Sequence, residues 1–141
     1  MQTIMSNSPA DTEKAGYELA KTLHGGQTVA LFGDLGAGKT AFVRGFAKAV
    51  APEASVTSPT FTVMQYYPGN PDLYHFDMYR IDSFEDLYNT GFFDYLEGDG
   101  ICIIEWSEKI DYVLPDEYVK VTIEKTKNER QRLITVKEEK K

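Results

Sequence analysis

Gly33-Asp34-Leu35-Gly36-Ala37-Gly38-Lys39-Thr40 is the stretch from which the rest of the chain is read. It fits G-x-x-x-x-G-K-S/T, a pattern that cradles phosphate when a strand precedes it and a helix follows. Each position has a physical task. Gly36 and Gly38 permit positive φ and let backbone come close to phosphate oxygens with no Cβ in the way. Successive N–H groups from Leu35 through Ala37 to Lys39 then converge on one concavity, and the following helix adds its positive dipole end. Lys39 is suited to the β- and γ-phosphates, and the Thr40 hydroxyl to Mg²⁺. Upstream, Thr28-Val29-Ala30-Leu31-Phe32 reads as a buried strand. Downstream, residues 39–50 read as a helix with Phe42, Val43, Phe46, Ala47 and Val50 on its buried stripe.

The flanks extend this pattern on both sides. Ser8-Pro9-Ala10-Asp11 starts a helix: an N-cap, proline at the first position, and an acid in the first turn. Ala15, Leu19, Ala20 and Leu23 share its face, and His24-Gly25-Gly26 closes it. Beyond the central helix, residues 56–61 and 62–67 read as two short strands with a kink at Pro59, and residues 68–71 as a turn. Residues 73–78 form a strand hairpinned to the one before. A short helix follows from Ser83 to Gly91. Gly98-Asp99-Gly100 leads into Ile101-Cys102-Ile103-Ile104-Glu105, an apolar run ending in an acid, as expected of a buried parallel strand. Residues 118–125 and 132–136 alternate as a final hairpin, and residues 138–141 read as a solvated tail.

Composition bounds the function. The chain has 141 residues, 42% hydrophobic and 26% charged, enough for one domain with a proper core. No apolar run reaches the ~18 residues of a membrane span. The N-terminal MQTIMSNSP lacks the basic and apolar regions of a secretion signal, so a cytoplasmic location is expected. Cys102 is the single cysteine, read as a small apolar filler in its strand. The net charge of −7 argues against binding tRNA or DNA alone, because such proteins carry a basic face.

Carboxylates complete the candidate site. Glu105 stands at a strand's carboxyl tip, where open α/β sheets bind ligands, suited to a metal-bound or attacking water. In His75-Phe76-Asp77-Met78-Tyr79-Arg80, alternation puts His75, Asp77 and Tyr79 on one face. Thr60, in Ser58-Pro59-Thr60, reads either as a strand threonine or as a switch residue ordered by the γ-phosphate.

GDLGAGKT (33–40), SPTF (58–61), HFDMYR (75–80) and IIEW (103–106), in this order and spacing, resemble the TsaE (YjeE) family, small P-loop ATPases of bacterial tRNA threonylcarbamoyladenosine synthesis. The resemblance covers nearly the whole chain. It implies one ATPase domain over residues 1–141, of α/β P-loop type, with a mostly parallel central sheet and flanking helices. It implies ATP and Mg²⁺ as cofactors, with Thr40, Glu105 and Asp77 at the metal, Thr60 in a switch, and Thr12 and Arg130 toward the adenine. It also implies action beside the subunits TsaB and TsaD, with tRNA reached only through that complex. Two other functions share these motifs: a small-molecule or nucleotide kinase, and a nucleotide-gated interaction module with negligible turnover. A kinase would ordinarily bring several clamping arginines; this chain has Arg44, Arg80, Arg130 and Arg132. Between Phe61 and Tyr95 the chain is rich in aromatics and acids with one basic residue, Arg80, which suits a protein-docking face and not an RNA-stacking one.

Overall fold

Val29-Ala30-Leu31 and Ile101-Cys102-Ile103-Ile104 have no polar side, and each is buried on both faces. Such runs need helices above and below them, and they form the middle of the sheet. The computed structural model describes residues 1–33, 38–56 and 63–140. The expectations for Asp34, Leu35, Gly36 and Ala37, and for residues 57–62 with Thr60, fall outside them.

The strands are β1 (Gln2–Ser6), β2 (Thr28–Gly33), β3 (Met64–Tyr67), β4 (Leu73–Asp77), β5 (Ile101–Glu105), β6 (Glu117–Lys125) and β7 (Arg132–Lys140). They form one sheet in the order β1-β7-β6-β2-β5-β4-β3. The mostly parallel sheet of the sequence reading is corrected here: the sheet is mixed. β6, β2, β5 and β4 run parallel, while β3, β7 and β1 are added antiparallel. The short links between β3 and β4 and between β6 and β7 permit only antiparallel pairing, since a parallel return needs a long crossover.

Helices α1 (Pro9–Ala20) and α2 (Lys39–Val50) cover one face, and α3 (Phe84–Asn89) and α4 (Phe92–Leu96) the other. Val29, Leu31, Ile103, Val121 and Phe46 fill the first core, and Phe76, Phe92, Leu87, Cys102 and Ile104 the second. Cys102 is the filler expected of it; burial pushes its thiol up to about 12. Ser8 Oγ accepts from Asp11 N (3.1 Å) while Asp11 Oδ2 accepts from Asn7 N (2.9 Å), a reciprocal cap that starts α1 where the sequence places it. The helices touch through glycine. A Cβ on Gly16 would lie 2.1 Å from the Phe42 carbonyl oxygen, and one on Gly45 1.8 Å from that of Glu13.

Two further expectations are corrected, and one strand is added to them. α1 ends at Ala20, not at the glycines beyond. Residues 138–140 continue β7 against β6 and are no tail. Residues 2–6 form β1, an edge strand that the sequence did not announce.

Candidate functional site at the carboxyl ends of the parallel strands

The chain leaves β2 through α2 toward β3 and β4 on one side, and leaves β5 toward β6 on the other. A reversal of this kind opens a crevice at the strands' carboxyl ends, where ligands of open α/β sheets bind. Gly38 enters α2 at φ +100°, a left-handed conformation that a side chain would resist. No side chain among the described residues caps α2, whose positive dipole end lies beyond the carboxyl end of β2.

Lys39 opens this helix and is only 5% exposed. Its Nζ donates to Gly33 O at 2.9 Å and lies 3.7 Å from the centroid of the Trp106 ring, a close cation–π contact. Trp106 holds left-handed backbone (φ 59°, ψ 42°), uncommon for a bulky residue, and its ring also meets that of Tyr79 at 5.0 Å. Glu108 Oε2 accepts from Gly33 N at 2.9 Å. Both backbone polar groups of Gly33, the last described residue before the loop, are therefore engaged by side chains of this site.

Asp77 and Glu105 are cross-strand neighbours, each the last residue of its strand. Glu105 is almost wholly buried, and its Oε2 lies 2.5 Å from His75 Nε2. Asp77 Oδ1 accepts from Tyr79 N at 2.9 Å. Burial holds the Asp77 carboxyl above its ordinary range; the Tyr79 N–H opposes this, Glu105 adds to it, and His75 and Lys39 oppose it. Thr40 lies half-buried beside Lys39 on the first turn of α2. Among the described residues no cluster of three or more His, Cys, Asp or Glu is arranged for a metal. A nucleotide-bound Mg²⁺ needs no such cluster, since it takes one or two carboxylates and keeps its waters.

Thr12 and Arg130, far apart in sequence, line one cavity of about 470 Å³ together with Ser8, Gly38, Ala41 and Arg132. Thr12 is buried and its hydroxyl is paired with Ser6 Oγ at 2.7 Å. Its methyl group is the part near Gly38. The structure thus brings Lys39, Thr40, Asp77 and Glu105 to one end of the sheet, and Thr12 and Arg130 to a cavity at the start of α2.

The family model described as "Threonylcarbamoyl adenosine biosynthesis protein TsaE" matches residues 6–134. The chain belongs to the TsaE family. A TsaE relative named tRNA threonylcarbamoyladenosine biosynthesis protein, from Treponema pallidum, is 40% identical over 119 residues, covering 84% of this chain and 88% of its own length. The Bacillus subtilis TsaE is 39% identical over 120 residues, covering 84% and 74%. The crystal structure of Bacillus subtilis YdiB superposes with a TM-score of 0.79 at 32% identity, covering 96% of this chain and 83% of that one. TsaE membership and the mixed seven-stranded sheet therefore agree.

Three side chains of this TsaE site have no role in the sequence reading. Glu108 follows Glu105 by three residues in a segment without pattern, and only the fold brings it to Gly33. Trp106 lies inside the quoted IIEW but carries no expectation of meeting Lys39. His75 shares a face with Asp77 by alternation, yet its pairing with Glu105 depends on strand register.

Proposed function

We propose that this chain binds ATP with Mg²⁺ and hydrolyses it, as an accessory subunit working beside TsaB and TsaD in tRNA threonylcarbamoyladenosine synthesis. One observation supports this above others: a buried lysine, the glycine-capped start of a twelve-residue helix and two carboxylates meet at the carboxyl ends of β2, β4 and β5. The lysine and the helix end attract phosphate, and the carboxylates suit a hard cation. The names of the relatives supply the pathway.

Lys39 neutralises the β- and γ-phosphates, drawing on an ammonium already desolvated beside Trp106. The residues fit Mg²⁺ by donor chemistry: Thr40, Glu105 and Asp77 offer oxygen alone, and the ion they hold would spread the charge of the transferring phosphoryl group. Glu105 orients water, and Asp77, kept less acidic by burial, completes the polar wall. The base occupies the cavity between Thr12 and Arg130, whose methyl and guanidinium groups suit a flat aromatic ring. Leu35, Gly36 and Ala37 offer backbone N–H groups to the phosphates, and Thr60 serves as the switch residue that the family resemblance implies.

Turnover is slow without partners, and the protein acts in the cytoplasm. No described helix is long and apolar enough to cross a membrane. Phe84 and Tyr88 are exposed and stacked on α3 close in sequence to the exposed Asp82, Glu85 and Asp86, which suits protein and not RNA. Isothermal calorimetry of Lys39→Ala tests the site: MgATP affinity should become undetectable while the fold survives. Affinity within about threefold of wild type, ~0.65 kcal/mol, would refute the assignment. Hydrolysis measured with and without the two partner subunits tests the assembly; equal rates would count against it.

A further inference from the structure

His75 is wholly buried in β4, and its Nδ1 is a buried polar atom with no hydrogen-bond partner among the described residues. A buried imidazole with one nitrogen unsatisfied is a poor choice for packing alone, since leucine or phenylalanine would fill the space without that penalty. The other nitrogen explains the residue. In the β4–β5 register His75 stands opposite Ile103, and Asp77 opposite Glu105. His75 and Glu105 are therefore diagonal neighbours on one face, within reach for long side chains. Their Nε2 and Oε2 atoms are 2.5 Å apart.

We infer that His75 is a positioning residue for Glu105: it pins one carboxylate oxygen from inside the sheet and leaves the other for the nucleotide site. A carboxylate oxygen requires a donor, so Nε2 carries a proton. Glu105 alone could turn about its terminal torsion, which is broad for a carboxylate. Anchored to a ring fixed in a strand, with Tyr67 at 6.2 Å on β3, the carboxylate keeps one plane. Groups that hold a ligating or catalytic side chain in this way commonly influence its effectiveness about 10–100-fold. The inference rests on Glu105 acting in ATP hydrolysis, as proposed above.

The experiment compares His75→Gln, His75→Leu and Glu105→Ala with wild type, measuring MgATP affinity by calorimetry and kcat in single and multiple turnover. Glutamine can present an N–H close to where Nε2 lies, and leucine cannot. His75→Leu should lower kcat about tenfold or more with affinity within about twofold, while His75→Gln retains kcat within about threefold. In the unmodified protein, ¹⁵N NMR of His75 should show a protonated Nε2, perturbed by Glu105→Gln. Full turnover in Glu105→Ala would refute the catalytic reading on which the inference rests. Reduced turnover in Glu105→Ala with full turnover in His75→Leu would refute the inference alone, as would a spectrum in which Nε2 carries no proton. Should the leucine variant not fold, a His75→Gln protein as impaired as Glu105→Ala would refute it equally.

Discussion

Replacing Gly45 with alanine will drive α1 and α2 apart and disturb the cavity that both helices help to line. The ideal Cβ would stand 1.8 Å from the Glu13 carbonyl oxygen and 2.4 Å from its carbon. Ordinary contact begins at 3.4 Å, so the two backbones must separate by about 1.6 Å. Neither partner is a side chain that can rotate away. Overpacking a dense interior costs ~1–3 kcal/mol and occasionally more, and a backbone collision belongs at the upper end. Alanine offsets this by up to ~1 kcal/mol as the better helix former. A net loss of ~2–3 kcal/mol corresponds to a Tm lower by roughly 6–12 °C in a domain of this size. Thermal unfolding followed by circular dichroism measures it, with Gly98→Ala as control. At Gly98 a Cβ would meet nothing nearer than 3.5 Å, so that variant should stay within about 2 °C of wild type. A Gly45→Ala protein equally close to wild type would show that the helices are not in backbone contact there.

Three other outcomes are expected. Glu105→Ala should leave MgATP binding intact and lower turnover on the order of 10²-fold, read by phosphate release; unchanged hydrolysis would move the role to Asp77. Asp77→Asn should raise the Tm at neutral pH. The folded carboxyl is held above its ordinary 3.8, so its favourable contribution is complete below that value and is lost as pH rises through the folded one. Asparagine keeps the acceptor for Tyr79 N–H without the buried charge, so a melting series should show the gain at pH 7 vanish near pH 3; a lower Tm at pH 7 would contradict this. Arg130→Ala should weaken ATP about fivefold, ~1 kcal/mol, and narrow the preference for ATP over GTP in competition binding, whereas unchanged selectivity would put the base elsewhere.

The parts legible in the sequence were those with local or periodic signals. Ser8 and Asp11 mark the start of α1 because a cap is written in four consecutive residues. The buried stripe of α2 and the apolar run of β5 announce themselves by period and by length. β1 did not, because Ile4 and Met5 are adjacent and break any alternation; pairing with β7, over a hundred residues away, makes that strand. The same holds within the site. Lys39, Glu105 and Asp77 stand in motifs whose chemistry is readable from residue type. His75, Trp106 and Glu108 acquire their partners only when strand register and the left-handed turn at Trp106 bring them together.

The cavity holding Thr12 and Arg130 draws on segments far apart in sequence: β1 pairs with β7, and Gln131 Nε2 donates to Asn7 Oδ1 across 124 residues. On the ribosome, where chains grow at ~5–20 residues per second, the first strand must wait several seconds for its partner. Until β7 emerges, β1 lacks its partner strand and the cavity proposed for the base lacks its Arg132 side. A nascent chain stopped before residue 132 should therefore fail to retain ATP even with its phosphate loop and α2 fully exposed outside the tunnel. Nucleotide capture by such arrested chains, as tightly as by the released protein, would contradict this. The motif that is read first in the sequence is, in time, among the last to become a site.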